Sequence, residues 1–574
     1  MVPDGPSSIW ELLPRNPEAS ARLEQELGVH PLVASLLAQR GFCDPGQADR
    51  FLNPSLDHLS RPEDLPDFRQ AVGTLLAARE SGDLIYIHGD YDVDGVTSAA
   101  ILFRFLSKAG FQVIGHVPHR ETEGYGIHID TVRRAHSAGA KLLLTCDCGS
   151  SAHTQLAAAY ELGMKVVVTD HHECPEELPP AEAVVNPHRR GFDGPGKELS
   201  GAGIAFLVCL GLCRELGLEE KYFYQNFLDL AVMGTVADVM PLRDNNRVIA
   251  RFGLPAIQAT QKRGLRSLLG VSKLDDPGMK LTTRHIGYQL GPRINAVGRI
   301  DDADVAFRLL TTADQAEANQ LAQFLDTKNQ ERRSMQDRIV TEACDRIAAE
   351  GLDTRSAIVI AAEGWPKGIV GIVAGKVVER FRRPAFVLGI HGDTASGSAR
   401  SIPAFNLFEA IEANRALLIK GGGHAAAAGV TMETVKIPSF SDALESYASA
   451  RLSPEDFLPR VVADLEASVT DATLQSAQAI AALEPFGEAN PQPAFLMRGL
   501  KLAANNPTRN PAHSRVMLES GGRHITAMAF GLGEALAATR IGTVLDLICE
   551  LEEDVFNGNV RLKSVVRDFR LAEG

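Results

Sequence analysis

Three aspartates at every second position, Asp90, Asp92 and Asp94, closed by Gly95, give the chain its first chemical signal. Carboxylates crowded in this way repel one another and need a compensating cation. Hard divalent ions such as Mg2+ or Mn2+ take oxygen ligands of this kind. A solvated acidic turn accounts for a lone Asp-x-Asp-x-Asp equally well. An EF-hand does not fit, because Ile101 stands where the twelfth-position glutamate belongs. Further along, Asp147 lies between Cys146 and Cys148, Asp170-His171-His172 forms a second cluster, and Asp238 is an acid in the otherwise apolar stretch from Gly234 to Pro241. Burying that acid without a partner is costly, and a cation resolves the cost.

Each of the first three clusters follows a short apolar run: Leu84 to Ile87, Lys141 to Thr145, and Lys165 to Thr169. Such runs read as strands buried in a sheet, and Ile101, Leu102, Phe105 and Leu106 recur at helical spacing between Val96 and Ala109. Strand, acidic turn and helix in succession place the carboxylates at the C-terminal ends of strands, where open α/β sheets hold their ligands. Three such endings converge on one rim of a parallel sheet. Asp92, Asp94, Asp147, His171 and Asp238 then supply four carboxylates and an imidazole, a mixed donor set that suits Mn2+ especially and also Mg2+. Two ions ~3.5–4 Å apart share a carboxylate, activate a water and stabilise the leaving oxygen of a phosphodiester. Asp147, alone at its strand end, is the expected bridge.

Composition bounds the rest. The 574 residues are 45% hydrophobic and 23% charged, ordinary for a globular chain of three or four domains. No apolar run approaches the ~20 residues of a membrane span, and the N-terminus lacks the basic and apolar segments of a signal peptide. Eight scattered cysteines without zinc-site spacing point to reduced thiols and a cytoplasmic protein. A net charge of −14 argues against coating nucleic acid by bulk electrostatics, yet allows a local basic groove.

The motifs together resemble the DHH phosphoesterase superfamily: Asp-x-Asp-Gly, Asp147 at the second strand end, Asp170-His171-His172 and Asp238. Leu199-Ser-Gly-Ala-Gly-Ile-Ala205, Gly291-Pro-Arg-Ile-Asn-Ala-Val-Gly-Arg299 and Gly421-Gly-Gly-His-Ala-Ala-Ala-Ala-Gly429 resemble one branch closely, the bacterial exonucleases specific for single-stranded DNA. The resemblance implies a 5′→3′ exonuclease that releases 5′-mononucleotides by two-metal hydrolysis in repair and recombination. It implies metal ligands at Asp92, Asp94, Asp147, His171 and Asp238, with His172 beside the metals and the scissile phosphate. His88 falls where related pyrophosphatases and phosphodiesterases place a ligating histidine, and Asp90 matches the motif as a ligand or a supporting acid. Cys146-Asp-Cys-Gly departs from the commoner Val-Asp-Asn-Gly, and its cysteines are expected to pack rather than to ligate.

The expected architecture is α/β: a helical segment over 1–55, a DHH catalytic domain with a parallel sheet over 56–310, and a linker helix over 311–350. A second α/β lobe of the DHHA1 type follows over 351–452, then an OB-type β-barrel over 453–574. The 1–55 segment is read as a preface to the catalytic domain. In the second lobe, glycine-rich loops let backbone amides approach phosphate oxygens. By the resemblance, Ser398 and Arg400 take a 5′-terminal phosphate with Arg120 facing them, and His424 contacts the phosphate next to the metals. Arg293, Asn295 and Arg299 are candidates for the DNA backbone or, alternatively, for interdomain salt bridges. In the barrel, Asn557-Gly558 reads as a hairpin turn. Phe530, Phe556, Arg515, Arg561 and Lys563 are available to hold a strand, each aromatic being also a core candidate.

The substrate implied is single-stranded DNA with a 5′ end, bound by a monomer, with a helicase and a single-strand-binding protein as candidate partners and no membrane. Two other readings stand beside it: a phosphodiesterase for short oligonucleotides or cyclic dinucleotides, and a catalytically silent single-strand-binding scaffold. The appended barrel speaks against the first, and the complete ligand set against the second.

Overall fold

The computed structural model describes residues 8–120, 123–556 and 559–572. They group into two compact units, one of residues 12–328 with 462–572, the other of 329–461 with 8–11. In the first, strands β1 (Leu84–His88), β2 (Gln112–His116), β3 (Leu142–Cys146), β4 (Lys165–Thr169) and β5 (Ala183–Val185) form a wholly parallel sheet in the order β2-β1-β3-β4-β5. β3 is buried along its whole length, as a strand covered on both faces must be, which is why its sequence is a continuous apolar run. The chain leaves β1 for a neighbour on one side and returns to β3 on the other. A crevice therefore opens beyond the ends of β1 and β3, where His88 lies level with Thr145. The acidic turn and Asp147 both emerge there.

Helix α1 (Val93–Lys108) starts inside the acidic turn, with Asp92 as its N-cap. It packs against α2 (Gly201–Glu215) and α3 (Glu220–Ala237). α2 is buried from Gly201 to Cys213 and is apolar all round for that reason. The C-terminal end of α3 delivers Asp238. A π-helical turn, Ile286–Leu290, leads into α4 (Gly291–Ile300). Helix α5 (Gln315–Ala349) is 35 residues long and begins in the first unit and ends in the second; at helical rise it spans about 50 Å.

In the second unit, β6 (Ile358–Glu363), β7 (Ala385–His391), β8 (Thr394–Arg400), β9 (Lys420–Gly423) and β10 (Ala427–Glu433) form a sheet in the order β9-β10-β8-β7-β6. Only β6 and β7 run parallel. Helix α6 (Lys367–Phe381) covers β7 and β8.

The C-terminal region of the first unit is a closed barrel of five strands, β11 (Ala494–Pro507), β12 (His513–Ser520), β13 (Arg523–Phe530), β14 (Val544–Phe556) and β15 (Asn559–Leu571). The order is β11-β12-β13-β15-β14, and β14 pairs back onto β11 to close it. The turn Asn557-Gly558 and the side chain of Phe556 lie outside the described residues. The N-terminal helices Pro17–Leu27, Pro31–Gln39 and Pro45–Leu52 place their apolar faces elsewhere than a preface to the parallel sheet would. Leu23, Leu36, Leu37 and Phe51 share one core with Leu465, Phe495, Leu518 and Leu547 of the barrel region. Arg247 fastens these parts to the sheet domain. Its guanidinium sits 3.5 Å over the Phe51 ring and donates to the carbonyls of Phe51, Leu483 and Glu484. Among the described residues no helix is long and apolar enough to cross a membrane.

Candidate active site

The acidic turn is held by its own backbone. Gly95 has no room for a Cβ, which would lie 2.5 Å from the backbone of Asp90. Asp92 spends Oδ1 on capping α1, accepting the Gly95 amide at 3.0 Å. Asp94, the second residue of the helix, points at the start of α2 and accepts the amides of Gly201 (2.6 Å) and Ala202 (2.9 Å). The positive end of α2 thus steadies a carboxylate that is almost wholly buried.

Asp147 follows β3 in the left-handed region, with φ of 59°. This is a strained conformation for a residue with a Cβ, of order 1–3 kcal/mol, and it turns the carboxylate into the crevice. Its amide donates to Thr169 on the neighbouring strand at 2.9 Å. Gly201 packs directly on it; a Cβ there would lie 2.6 Å from the Asp147 Cβ. Behind β4, Asp170 Oδ1 accepts the amides of His171 (2.8 Å) and His172 (3.2 Å) and His172 Nδ1 (2.8 Å), and its Oδ2 accepts the Ser150 amide (3.0 Å). Asp170 therefore braces the backbone of both histidines and the imidazole of His172. Its signal in the sequence is its place directly before them.

These elements bring the expected ligands together. His171 Nε2 lies 3.0 Å from Asp147 Oδ1, 3.6 Å from Asp238 Oδ2 and 3.7 Å from Asp94 Oδ2. Donor atoms lie within 4.8 Å of one another in three overlapping groups: Asp94, His171 and Asp238; Asp90, Asp92 and Asp147; and Asp147, His171 and His172. Asp147 Oδ1, Asp90 Oδ1 and His171 Nε2 are buried without a hydrogen-bond partner. Orphaned buried atoms of this kind cost about 1–3 kcal/mol each. Oxygen and imidazole donors that converge and lack partners fit divalent cations of the Mn2+ or Mg2+ type.

The charge balance points the same way. Burial, then Asp94 and Asp92, pushes the Asp147 carboxyl well above its ordinary range. Burial, then Asp238 and Asp92, does the same to Asp94. Asp90 rises to about 8 through burial and Asp92, and Asp238 to about 6 through the same two causes. Carboxyls so placed do not all ionise unaided, and positive charge among them releases their protons. His171 is pushed down to about 4 by burial and His172, which keeps its imidazole neutral and able to ligate. Burial also opposes charge on His172, but the hydrogen bond and charge of Asp170 raise it to about 9.

His88 is fully buried, its Nε2 donates to the Gly126 carbonyl at 3.2 Å, and it joins none of the three groups. Arg120 stacks 4.9 Å over the ring of Tyr91, which places it beside the acidic turn. Burial raises the Tyr91 phenol, and the charges of Arg120 and Arg299 oppose that rise. Arg293 is engaged by Asp326 (2.9 Å) and the Gln289 carbonyl (2.8 Å). Asn295 Oδ1 accepts the amide of Val93 at 3.1 Å. In the second unit, Ser398 and Arg400 project from one face of β8 toward Gly371, where a Cβ would stand 3.2 Å from Ser398 Oγ and 3.6 Å from an Arg400 nitrogen. No carboxylate of a described residue pairs with Arg400, and burial lowers its pKa. His424 is exposed in the turn between β9 and β10. In the barrel, Phe530 is half exposed and meets His513 edge-on, and Arg515 is exposed. Arg561 and Lys563 are paired across the β14–β15 hairpin with Asp554 (2.8 Å) and Glu552 (2.7 Å).

Exposed Tyr125, edge-on to His172 at 5.6 Å, is an aromatic at the mouth of the site to which sequence reasoning assigns no role.

A parallel sheet whose switch point gathers carboxylates and an Asp-His-His cluster defines a DHH-type phosphoesterase, and the model of the DHH family N-terminal domain matches residues 84–235. The DHHA1 domain matches residues 354–450 and the RecJ OB domain residues 463–568. The single-stranded-DNA-specific exonuclease RecJ of Bacillus subtilis is 37% identical over 98% of this chain and 71% of its own length. That of Escherichia coli is 33% identical over 97% and 98%. The crystal structure of RecJ in complex with Mn2+ from Thermus thermophilus superposes with a TM-score of 0.84 at 30% identity, covering 99% of this chain and 80% of that one. The chain belongs to the RecJ family.

Proposed function

We propose that this chain is a metal-dependent exonuclease that removes mononucleotides from the 5′ end of single-stranded DNA. The observation that carries the reading is the convergence of Asp90, Asp92, Asp94, Asp147, His171 and Asp238 at the sheet's switch point with partnerless buried donor atoms among them. Asp94, His171 and Asp238 would hold one divalent ion, Mn2+ or Mg2+, and Asp90 and Asp92 a second. Asp147, grouped with Asp90 and Asp92 and 3.0 Å from His171, would serve both. A bound pair of such ions supplies an activated water and offsets charge on the leaving oxygen.

The protein's own groups do the rest. Asp170 fixes His172 through Nδ1, which leaves Nε2 to donate to an oxygen of the scissile phosphate. Arg120 beside the acidic turn neutralises phosphate charge. On β8, Ser398 and the half-buried guanidinium of Arg400, which no carboxylate of a described residue pairs, suit a terminal 5′ phosphate, and His424, exposed in the turn between β9 and β10, suits a phosphate of the strand. The exposed aromatic Phe530 and Arg515 of the barrel suit a single strand, by stacking and charge. The enzyme is cytoplasmic, acts in repair and recombination as a monomer, and receives single strands from a helicase or a single-strand-binding protein.

Digestion of 5′-labelled and 3′-labelled single strands with Mn2+, Mg2+ or EDTA, beside a duplex control, tests this. Immediate release of labelled mononucleotide from the 5′ end alone, with metal alone, is expected. Cleavage of dinucleotides while long strands stay intact would replace the reading with a small-substrate phosphodiesterase.

A further inference from the structure

Helix α4 carries the Gly291–Arg299 motif, whose Asn295 the sequence suggests for the DNA backbone. The structure turns that residue the other way. Gly291, Asn295 and Gly298 are spaced i, i+4 and i+7, so they share one face of the helix, and that face lies along the acidic turn. A Cβ at Gly298 would stand 2.7 Å from the Tyr91 carbonyl oxygen, and one at Gly291 would stand 3.7 Å from a Val93 methyl. Gly298 thus lets the two backbones approach, Gly291 leaves ordinary contact with Val93, and between them Asn295 Oδ1 accepts the Val93 amide at 3.1 Å.

Val93 is the first residue of α1, and its N–H is one of the donors a helix cannot satisfy internally. The N-cap Asp92 already gives Oδ1 to the Gly95 amide. On the opposite side of α4, Arg293 donates to Asp326 of α5 at 2.9 Å, and Lys328 of α5 pairs with Asp301 at 3.3 Å. The helix that presents Asn295 is therefore itself fixed from behind.

We infer that Asn295 is a positioning residue for the metal centre: it caps α1 from outside, so that one Asp92 oxygen and the Asp90–Asp94 turn stay aimed at the cation. This rests on the metal reading above. Outer partners that orient metal ligands change metal affinity by roughly 10–100-fold.

The test is Mn2+ binding by calorimetry on the full chain, with the steady-state constants on single-stranded DNA. Asn295→Ala should weaken Mn2+ at least tenfold and lower kcat at fixed Mn2+, with KM for DNA within about twofold. Asn295→Asp, which keeps the acceptor, should restore both. Wild-type Mn2+ affinity in Asn295→Ala, with Asp147→Ala impaired, overturns the inference alone. A raised KM with unchanged Mn2+ affinity also overturns it and returns Asn295 to DNA contact. Wild-type affinity in Asp147→Ala as well removes the metal reading itself. If Asn295→Ala does not fold, Gly298→Ala, whose methyl would press on the Tyr91 carbonyl, must weaken Mn2+ in the same way; unchanged affinity there overturns the inference.

Discussion

Asp147 Oδ1 and His171 Nε2 stand 3.0 Å apart at the ends of neighbouring parallel strands, buried, and neither atom makes a hydrogen bond. A neutral imidazole whose Nε2 faced a carboxylate as a donor would make one. Their failure to do so, together with Asp94 and Asp238 within 3.7 Å of the same nitrogen, is the geometry of donors converging on a shared positive charge.

Asp147→Ala should therefore abolish turnover at every DNA concentration, because the carboxylate that belongs to two of the three donor groups is lost. Arg400→Ala should retain turnover at saturating DNA but raise KM and erode the preference for a 5′-phosphorylated end. Steady-state assays on phosphorylated and unphosphorylated strands separate the two. Full activity and unchanged end preference in Arg400→Ala would show that the 5′ phosphate binds elsewhere.

The bracing of the Asp170-His171-His172 turn makes a second prediction. Asp170→Asn keeps the shape but loses the charge-assisted bond to His172 Nδ1 and one acceptor of the four N–H groups around it. A fall in kcat of about 10–100-fold is expected, with folding retained. Circular dichroism beside the rate measurement distinguishes this from unfolding.

Steric closeness gives a third. Gly201→Ala inserts a methyl 2.6 Å from the Asp147 Cβ, so it should displace that carboxylate and weaken Mn2+ binding although Gly201 carries no ligand atom. Calorimetric Mn2+ affinity equal to wild type would mean that α2 can retreat.

The pH dependence of the metal-free protein has a definite sign. Asp90, at about 8, and His172, at about 9, both hold protons in the folded chain that the unfolded chain has released above about pH 6.5. The folded state then binds more protons, so stability falls as pH rises from about 6.5 to 8.5. His171, at about 4, and His88, at about 3, act with the opposite sign only below that window. Thermal melts in EDTA should show a declining Tm over this range, and Mn2+, by displacing the Asp90 proton, should flatten it. A Tm that rises with pH in EDTA would contradict the charge balance described above.

The parallel sheet was legible because its strands, buried on both faces, must be continuous apolar runs, and because acids at three successive strand ends have one rim to share. Asp92, Asp94, Asp147 and His171 follow from that reasoning, and Asp238, at the end of α3, from the cost of an acid in an apolar stretch. Other features depend on contacts no local pattern records. Asn295 serves an amide 202 residues away, and only the fold shows that Gly298 opens the approach to Tyr91. Arg561 and Lys563 look like free cations in the sequence, but the β14–β15 register sets each opposite an acid. The amphipathic helices of residues 1–55 declare an apolar face, not its partner, and that partner lies more than four hundred residues later in the barrel. The positive φ of Asp147 likewise has no marker, since its neighbours are cysteines rather than turn formers.

The most direct test of a two-cation centre bridged by Asp147 is a calorimetric titration of Mn2+ into the metal-free wild-type chain and into Asp147→Ala. The geometry predicts two Mn2+ per wild-type chain and, in the variant, loss or at least tenfold weakening of both sites, since one carboxylate serves both. Two undiminished sites in Asp147→Ala, or a single site in the wild type, would contradict it.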